Sequence, residues 1–258
     1  IMLKYLFMNI KNFRILGLSL LITAALLAVK YVFHSLGWET LEQGSLHNSV
    51  VAGAFFVIGF LLSATIADYK ESERIPSEFA SIVENMYEDG KSSHAKYSSF
   101  DLESYRKQLI KIARYFRKDV RYKTHKDRHE VHKLNDTFVQ MEEAGVPPNF
   151  IVKLKQQQAQ LARSLFRVNY IQNINLIPSA TILARSIVVI TSGLLILTKT
   201  DPFYGGLIIM GVIPFILVYM LLLIKVISTP FHAAGKTQDD VSLFLVDEVV
   251  DYLENQKT

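Results

Sequence analysis

The chain has 258 residues, half of them hydrophobic, yet one in five is charged, and its formal net charge is +4. Its mean hydropathy is +0.22, and the apolar and charged residues stand in separate blocks, which excludes a disordered chain, a collagen-like chain and an ordinary cytosolic enzyme. Cysteine is absent, so disulfides, thiolate nucleophiles and Cys-ligated zinc or iron–sulfur sites are excluded as well.

Four stretches are long and poor in charge: Ile15 to Phe33, Val50 to Ala67, Pro178 to Leu197 and Leu207 to Ile224. Each approaches the ~20 residues that cross a ~30 Å hydrocarbon core at 1.5 Å per residue. Lys4, Lys11 and Arg14 before the first stretch resemble the basic start of a signal peptide. No small-x-small pattern closes the run, which continues through Lys30-Tyr31-Val32-Phe33, so an uncleaved anchor is expected. The link His34 to Asn48 has no Lys or Arg and contains Glu39 and Glu42, and the link between the last two stretches contains only Lys199. By the distribution of basic residues both short links face outside. The N-terminus, the long middle segment and the C-terminus then face the cytoplasm, in the plasma (inner) membrane. The expected organisation is residues 1–67 with spans one and two, a cytoplasmic helical domain over 68–175, spans three and four over 176–226, and a cytoplasmic tail over 227–258.

The inserted segment shows helical spacing and no strand-like alternation. Pro76 suits the first turn of a helix carrying Phe79, Ile82, Val83 and Met86, which breaks at Glu88-Asp89-Gly90. Ser98-Ser99-Phe100-Asp101 offers caps for a helix whose stripe is Leu102, Tyr105, Leu109, Ile112 and Phe116. A third helix carries Val131, Leu134, Phe138 and Met141 and stops near Gly145; Pro147-Pro148 opens a fourth through Phe150, Leu154, Leu161, Leu165 and Val168. The fold class is an all-α membrane protein, four spans arranged two plus two around a helical cytoplasmic insertion.

Enzyme motifs are missing: no P-loop, GxGxxG, G-x-S-x-G or HExxH is present. His125, His129 and His132 have metal-ligand spacing, but the basic run around them (Lys123, Lys126, Arg128, Lys133) repels a cation, and a solvated helix face is the better reading. Basic residues on the inner side of a membrane protein are expected from orientation and anionic lipid, so no nucleic-acid partner is inferred.

Arg185 falls about 10 Å into the third span. It either snorkels to the interface, or faces an aqueous path, or pairs with a carboxylate such as Asp68. In the second span, Ala52, Phe56 and Phe60 recur at i, i+4 and i+8, and Ala52, Gly53, Ala54, Gly59 and Ala64 permit close helix approach. Such a stripe is either a lipid-facing or core face, or, in a ring of identical subunits, a stack of apolar constrictions that gates by dewetting.

Phe56-Val57-Ile58-Gly59-Phe60 resembles the Phe-Val-x-Gly-Phe pore neck of the bestrophin family of ion channels. Tyr69-Lys70-Glu71-Ser72-Glu73-Arg74-Ile75-Pro76 is similar to the acidic, tyrosine-containing stretch that follows it there. Ile227-Ser228-Thr229-Pro230-Phe231 is similar to the family's Ile-x-Pro-Phe element, and Asp239-Asp240 stands where the family has a calcium-binding acidic cluster. The resemblance covers the order of parts along nearly the whole chain and implies a divergent, prokaryotic bestrophin-like channel. It further implies a homo-oligomer, specifically a pentamer, whose second span lines one central pore for small inorganic ions. The implied neck is Ala52, Phe56, Gly59 and Phe60.

The departures shape the expectations. Ala52 replaces a bulky aliphatic residue, so the constriction rests on Phe56 and Phe60. Residues 232–238 separate Pro-Phe from the acidic pair. Asp239 and Asp240 then either contribute to a regulatory Ca2+ site, which needs about 6 to 8 oxygens, or cap the amphipathic helix bearing Val241, Phe244, Leu245 and Val249. Asp68 stands where eukaryotic members have a basic residue, giving an inner mouth (Asp68, Arg185) with a weak lean to cations, which Lys70 and Arg74 oppose. The rival reading is a non-conducting membrane scaffold or signalling protein whose cytoplasmic helices bind a partner. A secondary transporter is disfavoured, since four spans per chain are few.

Overall fold

The computed structural model describes residues 14–122, 128–173, 178–231 and 239–256. Lys4, Lys11, His125 and the segment 232–238 lie outside the described residues. The elements in chain order are α1 (Arg14–Ser35), β1 (Leu41–Glu42), α2 (Ser45–Lys96), α3 (Leu102–Tyr122), α4 (Arg128–His132), α5 (Leu134–Glu143), α6 (Pro148–Asn173), α7 (Pro178–Leu197), β2 (Thr198–Lys199), α8 (Phe203–Ile227) and α9 (Phe244–Asn255). Four of these helices, α1, α2, α7 and α8, are long and apolar enough to cross a membrane. The protein is a helical membrane protein, and its chain divides into two compact units after Tyr69.

The first unit contains α1, α2 up to Tyr69, α7 and α8. α1 packs on α8 and α7, and α7 packs on α8. The face of α2 that joins them carries Ala54 and Ile58, buried against Val188 of α7 and Leu217, Val218 and Ile224 of α8. Only 17% of the α1 and α2 span windows and 28% of those in α7 and α8 is buried within the chain, so most of their apolar surface is left for lipid or for other copies.

The short links that follow α1 and α7 meet. The chain leaves α1 through Gly37, whose φ of 68° suits glycine, with Gly37 N–H donating to His34 O (3.0 Å) and Trp38 N–H to Phe33 O (3.0 Å). It then pairs β1 with β2 in parallel, Leu41 opposite Thr198 and Glu42 opposite Lys199. This short ladder connects links that are far apart in sequence, and no alternation signalled it.

The second unit contains α2 beyond Tyr69, α3 to α6, and α9. Here the structure corrects two expectations. Pro76 does not begin a helix, and Glu88-Asp89-Gly90 does not end one, because α2 runs unbroken from Ser45 to Lys96. Pro76 removes one helical donor, but Ile75, Phe79, Val83 and Met86 around it are fully buried, and Phe79 stacks on Phe116 of α3 at 3.9 Å between centroids. That packing outweighs the lost hydrogen bond. Gly90 serves a close approach: a Cβ placed there would lie 2.5 Å from Cε1 of the buried Tyr105 ring. Tyr105 O–H donates to Met86 O at 3.0 Å, fixing the ring.

The other helices of this unit follow their stripes. Asp101 caps α3 by accepting from Ser104 N–H at 2.9 Å. The third expected helix is two, α4 and α5, and Gly145 (φ 86°) terminates α5 as anticipated. Gln158 and Gln172 of α6 donate to the carbonyls of Val131 and Val120 at 2.8 and 2.9 Å, satisfying backbone acceptors inside the bundle. α9 lies on α3, with Arg117–Asp247 at 3.0 Å and Arg114 paired with Glu254.

Candidate functional site

The membrane half of α2 has two faces of different character. Ala54 and Ile58 are buried against α7 and α8. On the other side Phe56 is 75% and Phe60 68% exposed, the most exposed large apolar side chains described on that helix. Ser49, Ala52, Ser63 and Ala67 are also exposed, and at ~100° per residue all six fall on one line along the helix. The line is therefore hydroxyl, small, aromatic, aromatic, hydroxyl, small, and it carries no charge.

The small residues of this span are little used within the chain. A Cβ at Gly53 would meet nothing within 4 Å, and one at Gly59 would meet only Met220 Cε at 3.9 Å, an ordinary contact. Neither glycine is needed for packing inside the chain. Ala52 is exposed and also borders a cavity of about 350 Å³ near the N-terminal end of α2, lined by His47, Asn48, Phe55 and Thr198 among others.

The inner-mouth residues separate. Asp68 is exposed but stands roughly 120° around α2 from Phe56 at ~100° per residue, off the phenylalanine line. Arg185 does not pair with Asp68: it has no ion pair or hydrogen bond among the described residues. It lines instead a cavity of about 810 Å³ shared with Lys225, Ser228 and Thr229. Beyond Tyr69, Arg74 bridges Glu71 (3.3 Å) and Glu78 (2.7 Å), so its charge is compensated locally.

At the C-terminal segment, α9 begins at Phe244 with Leu243 as its N-cap and no side-chain cap hydrogen bond. Asp239 and Asp240 therefore do not cap it, since the helix starts four residues beyond the pair, at about one turn's distance. An Asp240 carboxylate oxygen lies 4.0 Å from Arg121. Among the described residues no group of three or more His, Asp or Glu could hold a metal ion. Two carboxylates, one facing an arginine, fall short of the 6 to 8 oxygens calcium takes, and no step is assigned to calcium.

One cluster escaped sequence reasoning. Lys30, in the C-terminal third of α1, is 2% exposed. Its ammonium pairs with Glu39, whose side chain is 6% exposed, and donates to Ile196 O (3.1 Å) and Thr198 O. Glu39 also meets His34 Nδ1 at 2.9 Å, and the His34 ring stacks on Phe203 at 3.7 Å. Burial alone would push the Glu39 carboxyl up, but its hydrogen bonds to His34 and Lys30 hold it below the usual carboxylate range. The signal was a lysine inside an apolar run followed nine residues later by a glutamate. It was hidden because Lys30 reads only as part of a run that continues to Phe33, with no partner marked for its charge.

Solved structures share this fold. A variant of a bacterial bestrophin homolog from Klebsiella pneumoniae matches with a TM-score of 0.76 at 13% identity, over 94% of this chain and 97% of that chain. Another structure of a bestrophin homolog from that organism gives 0.74 at 14% identity, over 93% and 96%. A crystal structure of a membrane protein gives 0.77 at 12% identity, over 92% and 96%. No family model and no curated protein matches the sequence. The likeness establishes that the chain has the bestrophin fold.

Proposed function

We propose that this chain is one subunit of a bestrophin-like ion channel. Identical copies, five by the resemblance, surround a central pore lined by α2, in the plasma membrane with both chain termini on the cytoplasmic side. It conducts small inorganic ions and is not an enzyme. The observation that carries this reading is the exposure of Phe56 (75%) and Phe60 (68%) on the face of α2 opposite its packed side. Lipid also accepts phenylalanine. What favours a water-filled path is that Ser49 and Ser63 continue the same exposed line on either side of the aromatic pair.

A ring of phenylalanines from several copies makes a narrow apolar neck. Water leaves such a constriction readily, and an ion must shed part of its hydration shell to cross it, so small changes in width switch conduction. Gly53, with open space around it in the single chain, leaves room for close contact between neighbouring copies. Because the neck carries no charge, it discriminates by dehydration. The sign preference comes from flanking charge, and the exposed Asp68 near the inner end gives a weak lean to cations.

Flux from purified protein in liposomes, with the cation and the anion substituted in turn, tests the reading. Ion-dependent flux above protein-free liposomes is expected. Folded, oligomeric protein that passes no ion would overturn it in favour of a scaffold whose cytoplasmic helices bind a partner. Selectivity has its own readout: Asp68→Asn is expected to move the reversal potential toward the anion value.

A further inference from the structure

The cavity beside Arg185 has a feature the pore reading does not use. It is lined by Arg185 of α7 and Lys225 of α8, two cations in the membrane-spanning unit. Neither side chain has an ion pair or hydrogen bond among the described residues. Arg185 stands ~10 Å along α7 from Pro178, and Lys225 ~3 Å from the end of α8. One long basic side chain near a span end can reach the interface by itself. Two that open onto one cavity repel each other there, and both are stabilised by an anion that fits between them.

The rest of the lining defines that anion. Thr181 adds a hydroxyl at the polar end, the Ser228 hydroxyl donating instead to Lys225 O at 3.0 Å, while Leu61 and Leu221 form an apolar wall. A guanidinium presents a planar fork that suits phosphate oxygens, and an ammonium adds a point charge. Basic residues between spans, with hydrocarbon wall beside them, match a molecule that is anionic at one end and acyl at the other. We infer that this cavity is a binding site for the headgroup of an anionic glycerophospholipid supplied by the bilayer. The phosphodiester lies between Arg185 and Lys225, and an acyl chain runs along Leu61 and Leu221. The inference rests on the first unit alone and holds whether or not ions pass along α2.

The test uses the full chain in nanodiscs of equal phosphatidylglycerol and phosphatidylcholine, followed by detergent washing and quantification of the lipids that stay bound. Phosphatidylglycerol is expected to be retained above its bulk share. Arg185→Gln and Lys225→Gln are each expected to lower that enrichment roughly fivefold, while the charge-keeping Arg185→Lys and Lys225→Arg retain most of it. A wild-type ratio equal to the bulk ratio would overturn the site, and this arm needs no variant to fold. Unchanged enrichment in the helical double glutamine variant would overturn it too. Loss of the enrichment in millimolar inorganic phosphate would assign the cavity to a free anion and overturn the lipid.

Discussion

Lys30 and Glu39 form an ion pair with only 2% and 6% of their side-chain surfaces exposed, toward the C-terminal end of a membrane-spanning helix. The pair ties α1 to the parallel β1–β2 contact through the carbonyls of Ile196 and Thr198. Removing one partner strands the other charge in a poorly hydrated site, which typically costs about 3–5 kcal/mol, whereas replacing both by apolar residues costs far less. Lys30→Met and Glu39→Leu are therefore each expected to lower the Tm strongly, and the double variant to recover most of the loss. Trp38, the single tryptophan, sits beside this pair with its ring 5.4 Å from Phe33, so its fluorescence reports the clamp directly. Additive losses in the double variant would show that the two side chains act independently.

Phe56 and Phe60 carry the proposed neck. Truncating both to alanine removes the apolar narrowing while leaving the packed face of α2, Ala54 and Ile58, untouched. Single-channel recording in planar bilayers is expected to show a larger conductance and weaker gating in Phe56→Ala/Phe60→Ala, with Phe60→Leu close to wild type. Unchanged conductance and gating would remove these residues from the conduction path. Thermal stability of the chain should change little, since both side chains are exposed within it.

What could be read from sequence divides by range of interaction. The third span was legible to its ends, Pro178 and Leu197, because hydrocarbon thickness fixes length and a proline marks the start. The exposed line of Phe56 and Phe60 was legible because helical spacing is local. Pro76 and Gly90 misled for one reason: each is a helix breaker by local preference, and each is held in α2 by contacts with α3 that only the folded chain supplies. Lys30 and Glu39 were missed because their pairing joins a helix to the link beyond it, and nothing in helical spacing places Glu39 against Lys30. The distant pairing of Leu41 with Thr198 has no local signature at all.

Gly90 gives a test in which the sign of the effect decides. In an open helix, Gly→Ala stabilises by about 1 kcal/mol. Here the new methyl would lie 2.5 Å from a ring carbon of Tyr105, a residue that is fully buried and hydrogen-bonded to Met86 O. Overpacking of this kind typically costs about 1–3 kcal/mol. Gly90→Ala is expected to destabilise the helical insertion, read as a lower Tm by circular dichroism. An increase in Tm would mean that α2 and α3 do not approach as described.

Glu130 predicts how that insertion responds to acid. Its carboxylate accepts from Lys133 at 2.8 Å and from Lys111 at 2.9 Å, and the Gln108 amide lies 3.4 Å away. Burial alone would raise its pKa, but the bonds from Lys133, Lys111 and Gln108 outweigh that and lower it from 4.5 to about 2. A carboxyl that is more acidic folded than unfolded stabilises the fold above its unfolded pKa. That contribution is complete above pH 4.5 and fades as pH falls toward 2. Glu130→Gln should therefore melt below wild type at neutral pH by an amount that stays level down to about pH 5. The gap then closes across the window from 4.5 to 2. Melting curves of the full chain at stepped pH measure this, and a gap that stays constant through that window would show that the Glu130 carboxylate is not held by its lysine partners.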